Sequence, residues 1–152
     1  MHRILFFLFL IIFNQIHLKA KEIENFLMLK NNKVNVRYGP SFDYPIKYFY
    51  QKKFLTVRVI DKKENWRKII DHKKNSGWIH ASQLKQSKSF ILNNDEILFT
   101  KPLIYSRPIA KIENGRLILF QKCKKGWCKV KVNNFEGWLK SSNIWGKIAT
   151  EQ

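Results

Sequence analysis

Gly77-Trp78-Ile79-His80-Ala81-Ser82-Gln83-Leu84 and Gly137-Trp138-Leu139-Lys140-Ser141-Ser142-Asn143-Ile144 are one phrase written twice. Both run glycine, tryptophan, aliphatic, two variable residues, serine, one variable residue, aliphatic. Each follows a lone tryptophan behind a polar turn, Trp66 after 61–65 and Trp127 after 122–126. The step to the next tryptophan is 12 residues in one copy (66 to 78) and 11 in the other (127 to 138). With only five tryptophans in 152 residues, two matched spacings imply an internal repeat.

Around that phrase the local pattern is β. Val34 and Val36 alternate with Lys33, Asn35 and Arg37; Val57 and Val59 flank Arg58; Cys128, Val130 and Val132 alternate with Lys129 and Lys131. No window after residue 20 holds an apolar stripe at helical spacing over eleven positions. Turn-forming residues stand at 38–40, 93–95, 113–115 and 125–126. The expectation is an all-β chain of two small barrels, each of about five short strands, at residues 26–85 and 100–147. Residues 86–99 read as a connecting hairpin, with Phe90-Ile91-Leu92 and Ile97-Leu98-Phe99 flanking Asn93-Asn94-Asp95. No flexible Pro/Gly/Ser-rich linker separates the units, so the barrels are expected to pack together.

A chain of 152 residues has room for one ordinary domain or two very small ones, and its 45% hydrophobic content excludes a disordered chain. Residues 1–20 read as a cleaved secretory signal: His2 and Arg3 form a basic start, Ile4 to Phe13 an apolar run, and Ala20 the last residue. A run of ten is too short for a bilayer, which needs about 20 residues. No cysteine stands at the junction to carry a lipid. The expected location is periplasmic or secreted. Loss of Arg3 and Lys19 takes the formal charge from +18 to +16, a field that attracts polyanions and anionic lipid head groups. The bland alternative is a lysine-rich composition, 23 Lys to 6 Arg, spread over solvated faces; no block of five like charges occurs.

Cys123 and Cys128 are the only cysteines. A metal site needs further ligands at suitable spacing, and His72 and His80 do not supply them; a redox pair is normally C-x-x-C. In an oxidising compartment the expectation is a disulfide closing one hairpin, contributing about 2 kcal/mol through loop-closure entropy.

Val34-Asn35-Val36-Arg37-Tyr38-Gly39-Pro40-Ser41, Asn65-Trp66-Arg67-Lys68-Ile69 and Gly77-Trp78-Ile79 together resemble the bacterial SH3 domain, whose units open with N-x-R-x-G-P and close on a Gly-Trp-Val strand. The second copy is similar through Tyr105-Ser106-Arg107-Pro108, Gly126-Trp127-Cys128 and Gly137-Trp138-Leu139. With the cysteine pair and Ile144-Trp145-Gly146, the chain resembles exported tandem SH3-like proteins of Gram-negative bacteria over residues 26–147. Pro40 to Trp66 is 26 residues but Pro108 to Trp127 is 19. The second unit is therefore read as lacking seven residues of the first loop, and a groove is expected in the first unit alone.

Strand parity puts Trp127 with Lys129 and Lys131, opposite Cys128, Val130 and Val132, so Trp127 is expected to face away from the core. Trp66 matches the groove tryptophan that the resemblance implies, and Tyr38, Tyr44 and Tyr48 could complete an aromatic strip for an extended peptide or a sugar face. These aromatics could equally fill the gap between the barrels. His80 resembles a groove-edge residue, whereas Trp78 and Trp138 are expected in the core. No triad spacing, phosphate loop or zinc signature is present, and Asp95-Glu96 reads as a solvated turn. The expectation is a binding module rather than an enzyme, without cofactor or metal. Its expected ligand is a peptide or peptidoglycan stem. The alternatives are an anionic wall polymer or lipid head group, or a larger periplasmic protein; no nucleic acid is expected.

Overall fold

The computed structural model describes residues 25–148; the segment read as a signal, 1–20, lies outside them. Fourteen strands and one short 3-10 turn make up the described chain. The first seven strands are β1 (Asn25–Leu29), β2 (Val34–Arg37), β3 (Ile46–Tyr50), β4 (Thr56–Lys63), β5 (Trp66–Ile70), β6 (Ser76–His80) and, after the 3-10 turn Ala81–Gln83, β7 (Leu84–Gln86). The next seven are β8 (Ser89–Leu92), β9 (Glu96–Phe99), β10 (Pro108–Ile112), β11 (Leu117–Lys124), β12 (Trp127–Val132), β13 (Phe135–Lys140) and β14 (Ile144–Trp145). They form two antiparallel seven-stranded sheets, ordered β3-β2-β6-β5-β4-β1-β7 and β10-β9-β13-β12-β11-β8-β14. The second order is the first with seven added to every strand, so the sequence repeat is a repeat of topology.

The long strands β4 and β11 let each sheet curl. A β-bulge lies between Val59 and Asp61 in one and between Phe120 and Lys122 in the other, at equivalent positions. A bulge bends its strand and raises the local twist, so one strand can pair with β1 over its first half and with β5 over its second. The inner face of the first sheet buries Leu29, Val34, Val36, Val57, Ile69 and Ile79; that of the second buries Phe90, Leu98, Ile118, Cys128, Val130 and Leu139. The Cys123–Cys128 disulfide joins directly paired residues of β11 and β12 at one end of the second core. Between them Lys125 and Gly126 both take positive φ, as a two-residue hairpin turn of this hand requires.

Three expectations need correction. Residues 86–99 do not form a connecting hairpin: β8 pairs with β11 and β14, and β9 with β10 and β13, so both belong to the second barrel. The second unit does not lack seven residues of the opening loop, because 38–45 and 100–107 are eight residues each and Pro102, not Pro108, stands opposite Pro40. Trp78 and Trp138 are not core residues; Gly77 and Ile79, and Gly137 and Leu139, take the inner face, leaving both indoles half-buried outside.

The barrels are in contact. Ile91 of β8 belongs to the first core, with Leu117 and Trp145 packed against it. The Trp145 ring meets Phe26 edge-on at 5.4 Å. Thr56 and Ser89, both fully buried, share a 2.7 Å hydroxyl hydrogen bond across the junction. Ser89 Oγ also lies 2.7 Å from the Phe54 carbonyl, to which it can donate.

Candidate functional site

On the outer face of the first sheet, Trp66 opens β5 directly opposite His80, the last residue of β6. The indole and imidazole meet edge to face at 5.3 Å. Phe42, from the loop between β2 and β3, closes the triangle, 5.0 Å from Trp66 in a T-shaped contact and stacked on His80 at 5.5 Å. Trp66 is only 6% exposed while Phe42 is 68% exposed, so the phenyl ring covers the indole and faces solvent itself.

Local chemistry holds the three rings in place. Arg37, at the end of β2, donates from Nη1 to the carbonyls of Tyr44 at 2.7 Å and Phe42 at 3.3 Å, and its guanidinium lies over the Phe42 ring at 5.5 Å. Asp43 N–H donates to Ser41 Oγ, which donates to the Asp43 carboxylate, tightening the turn that projects Phe42. Tyr44 lies so close over Gly39 that any side chain there would meet its ring at 2.5 Å. His80 caps the 3-10 turn, its Nδ1 accepting from Ser82 N–H at 3.4 Å, with Ser82 Oγ 2.8 Å away. With Nδ1 accepting, the neutral ring carries its proton on Nε2.

Arg37, Phe42, Trp66, His80 and Ser82 border a cleft of about 170 Å³, completed by Lys33, Asn35 and Gln83. It is smaller than the roughly 300–1,000 Å³ of a cofactor or drug-sized site. The volume suits one side chain or a short stretch of extended peptide. Lys33 and Arg37 line it and no carboxylate does, so its field is positive.

The structure brings Trp66 and His80 together and puts the other candidates elsewhere. Tyr38 is exposed with the Lys47 ammonium 5.6 Å from its ring centre, Tyr44 covers Gly39, and Tyr48 packs against the core. Tyr48 Oη is 3.3 Å from Tyr50 Oη, and Tyr50 donates to the buried Asp71 carboxylate at 3.1 Å. Burial raises the pKa of both phenols, Tyr50 the more strongly. Trp127 is in the second barrel, half-buried and edge-on to Phe99 at 5.8 Å, with the Lys140 ammonium 5.8 Å from its ring centre. Lys140 holds the register position that His80 holds in the first barrel. Sequence reasoning missed Phe42. The available signal was an aromatic between Ser41 and Asp43, two residues that close a tight turn and push the intervening side chain outward.

His72 and the Asp95-Glu96 pair lie outside the cleft. Asp95 forms an ion pair with Lys111 at 2.8 Å and accepts from Asn114, which lowers its pKa to about 2. Glu96 is shifted the other way by burial. Opposite shifts also mark acid and base couples, but each cause here is structural. Among the described residues no three His, Cys, Asp or Glu side chains gather as metal ligands.

The bacterial SH3 domain family matches the chain twice, over residues 30–86 and 98–146. No curated protein matches the sequence. Among solved structures, NlpC2 from Trichomonas vaginalis is 10% identical over 84% of this chain and 50% of its own, with a TM-score of 0.38. An NlpC/P60 family protein from Bacillus cereus is 12% identical over 82% of this chain and 57% of its own, also at 0.38. The chain thus spans about half the length of these neighbours. From the doubled family match and the doubled strand order, the chain belongs to the bacterial SH3 domain family and carries two copies of the domain in tandem.

Proposed function

We propose that the protein is an exported, non-enzymatic binding module that holds a peptide, the peptidoglycan stem above all, in the cleft of its first barrel. The Phe42–Trp66–His80 triangle carries the reading: a pre-ordered aromatic surface beside Lys33 and Arg37, with no acid among the residues that line the cleft. Aromatic rings stack on an extended backbone at little entropic cost, and fixed cations select a ligand that carries carboxylates. Domains of this family are typically binding modules, often for peptidoglycan, which supports the class of ligand. The disulfide fits an oxidising compartment and so supports export.

The test is co-sedimentation with purified sacculi, together with titration of soluble stem peptides. Phe42→Ala removes an exposed ring without opening the core and is expected to weaken binding about tenfold, as truncating an aromatic anchor does. Absence of binding to both ligands, or an unchanged affinity for Phe42→Ala, overturns the reading. A second reading, contact with an anionic wall polymer, draws on one observation: only two ion pairs form among the described residues, so most lysines have no acid partner. Such binding falls steeply as salt rises, whereas a cleft ligand is held with a shallower dependence.

A further inference from the structure

The two barrels put equivalent loops to different use. In the first, loop 38–45 bends back and lays Phe42 on Trp66. In the second, loop 100–107 is the same length, yet the residue equivalent to Phe42, Ile104, is half exposed, and Phe99 of β9 is the ring beside Trp127. Leu103, Ile104 and Tyr105 stand in a row, 59, 50 and 95% exposed. Three adjacent large apolar side chains held in water in an ordered loop need an explanation that one exposed leucine does not.

The tip is organised in advance. Ser106 Oγ lies 3.0 Å from the Lys101 carbonyl and 2.9 Å from that of Leu103, within donating distance of both, and accepts from Lys101 N–H at 3.3 Å. Backbone bonds run from Leu103 N–H to Lys101 O, from Ser106 N–H to Leu103 O and from Thr100 N–H to Arg107 O. Lys101 and Arg107 flank the apolar residues, both exposed, and the loop contains no acid. Neither takes part in an ion pair among the described residues.

We infer that loop 100–107 of the second barrel is a membrane-contact tip, which seats Leu103 and Ile104 in the interface of a bilayer bearing anionic lipid while Lys101 and Arg107 meet its phosphates. Tyr105 then lies at head-group level, where an amphipathic ring is favoured. The apolar residues supply shallow insertion and the flanking cations the attraction to negative head groups. A protein partner fits less well, since a stable interface covers about 800 Å² on each side and three exposed side chains offer a fraction of that. The inference is independent of the first barrel's cleft.

The experiment is co-sedimentation with vesicles of phosphatidylcholine alone or mixed with phosphatidylglycerol. The fourteen described strands and both described cores lie within 25–148, so the chain is used from residue 21 onward, which keeps the apolar run of 4–13 out of the measurement. The protein is expected to bind the mixed vesicles and not the neutral ones. Soluble glycerol phosphate is expected not to compete, which separates a bilayer from a free head group. Leu103→Ser with Ile104→Ser is expected to lower partitioning about tenfold or more, the loss of two partly inserted aliphatic side chains. A polarity-sensitive dye on Tyr105→Cys, attached without reductant so that the buried disulfide stays closed, is expected to shift to the blue on binding. Unchanged partitioning of the double variant, or a bound protein whose dye still reports water, overturns the inference. So does selective loss of a co-purifying envelope protein in the double variant while vesicle binding is retained.

Discussion

Gly137 shows why the repeated phrase begins with glycine. Its φ is not positive; the constraint is crowding, because where β13 pairs with β9 a Cβ would lie 2.5 Å from the Phe99 carbonyl and 3.0 Å from Leu98 Cγ. Gly77 has the same relation to Val36 and the Arg37 carbonyl. Gly137→Ala is expected to destabilise the second barrel by about 1–3 kcal/mol, the usual cost of overpacking, read by urea unfolding. His72 makes a pH prediction. Its Nδ1 is buried without a partner, and burial lowers its pKa, only partly countered by Asp71. Well above pH 6.5, the ordinary value of a histidine, the ring is neutral in both states and the group is silent. As pH falls through 6.5 the unfolded chain takes up a proton that the folded ring resists, so stability falls until the folded ring is protonated too. Urea midpoints at pH 7.5 and 5.5 are expected to differ less in His72→Gln than in the parent. At this scale Trp66 and His80 were legible from the motif, but Phe42 was not. Its place depends on the Arg37 side chain clasping a loop whose path strand parity does not address.

Among the elements, alternation was the reliable signal. Trp127 faces outward and Cys128, Val130 and Val132 inward, as the period-two pattern of β12 requires. Loop lengths were less legible, because matching Pro40 to Pro108 rather than Pro102 turns two equal loops into unequal ones. Residues 90–92 and 97–99 are strands, as their apolar runs imply, but they do not pair with each other: adjacent strands across a turn usually pair, and here each has two partners elsewhere in the second barrel. The disulfide clips β11 to β12 over a separation of five residues. Replacing both cysteines with alanine is expected to cost about 2 kcal/mol in the second barrel while the β-type circular dichroism spectrum persists. A full loss of structure would show that the bridge supports more than one hairpin.

For the whole molecule the decisive feature is the junction. Ile91 sits in the first core although its strand belongs to the second barrel, and Trp145 is wedged beside Phe26 with Arg58 and Lys74 over its ring. The two barrels are therefore expected to unfold in one calorimetric transition. Trp145→Ala removes a large shared side chain, costing about 3 kcal/mol, and is expected to split that transition in two. Two separate transitions in the parent would show that the junction does not couple the barrels. The fold class and the repeat were determined by the sequence itself, because strand alternation and a phrase recurring at matched spacing are local properties written in residue order. Which rings meet over Trp66, which barrel owns β8 and β9 and how Ile91 of β8 enters the first core were decided only by the tertiary structure. Those contacts join side chains from distant strands, and neither spacing nor hydropathy records which distant partner a side chain will touch.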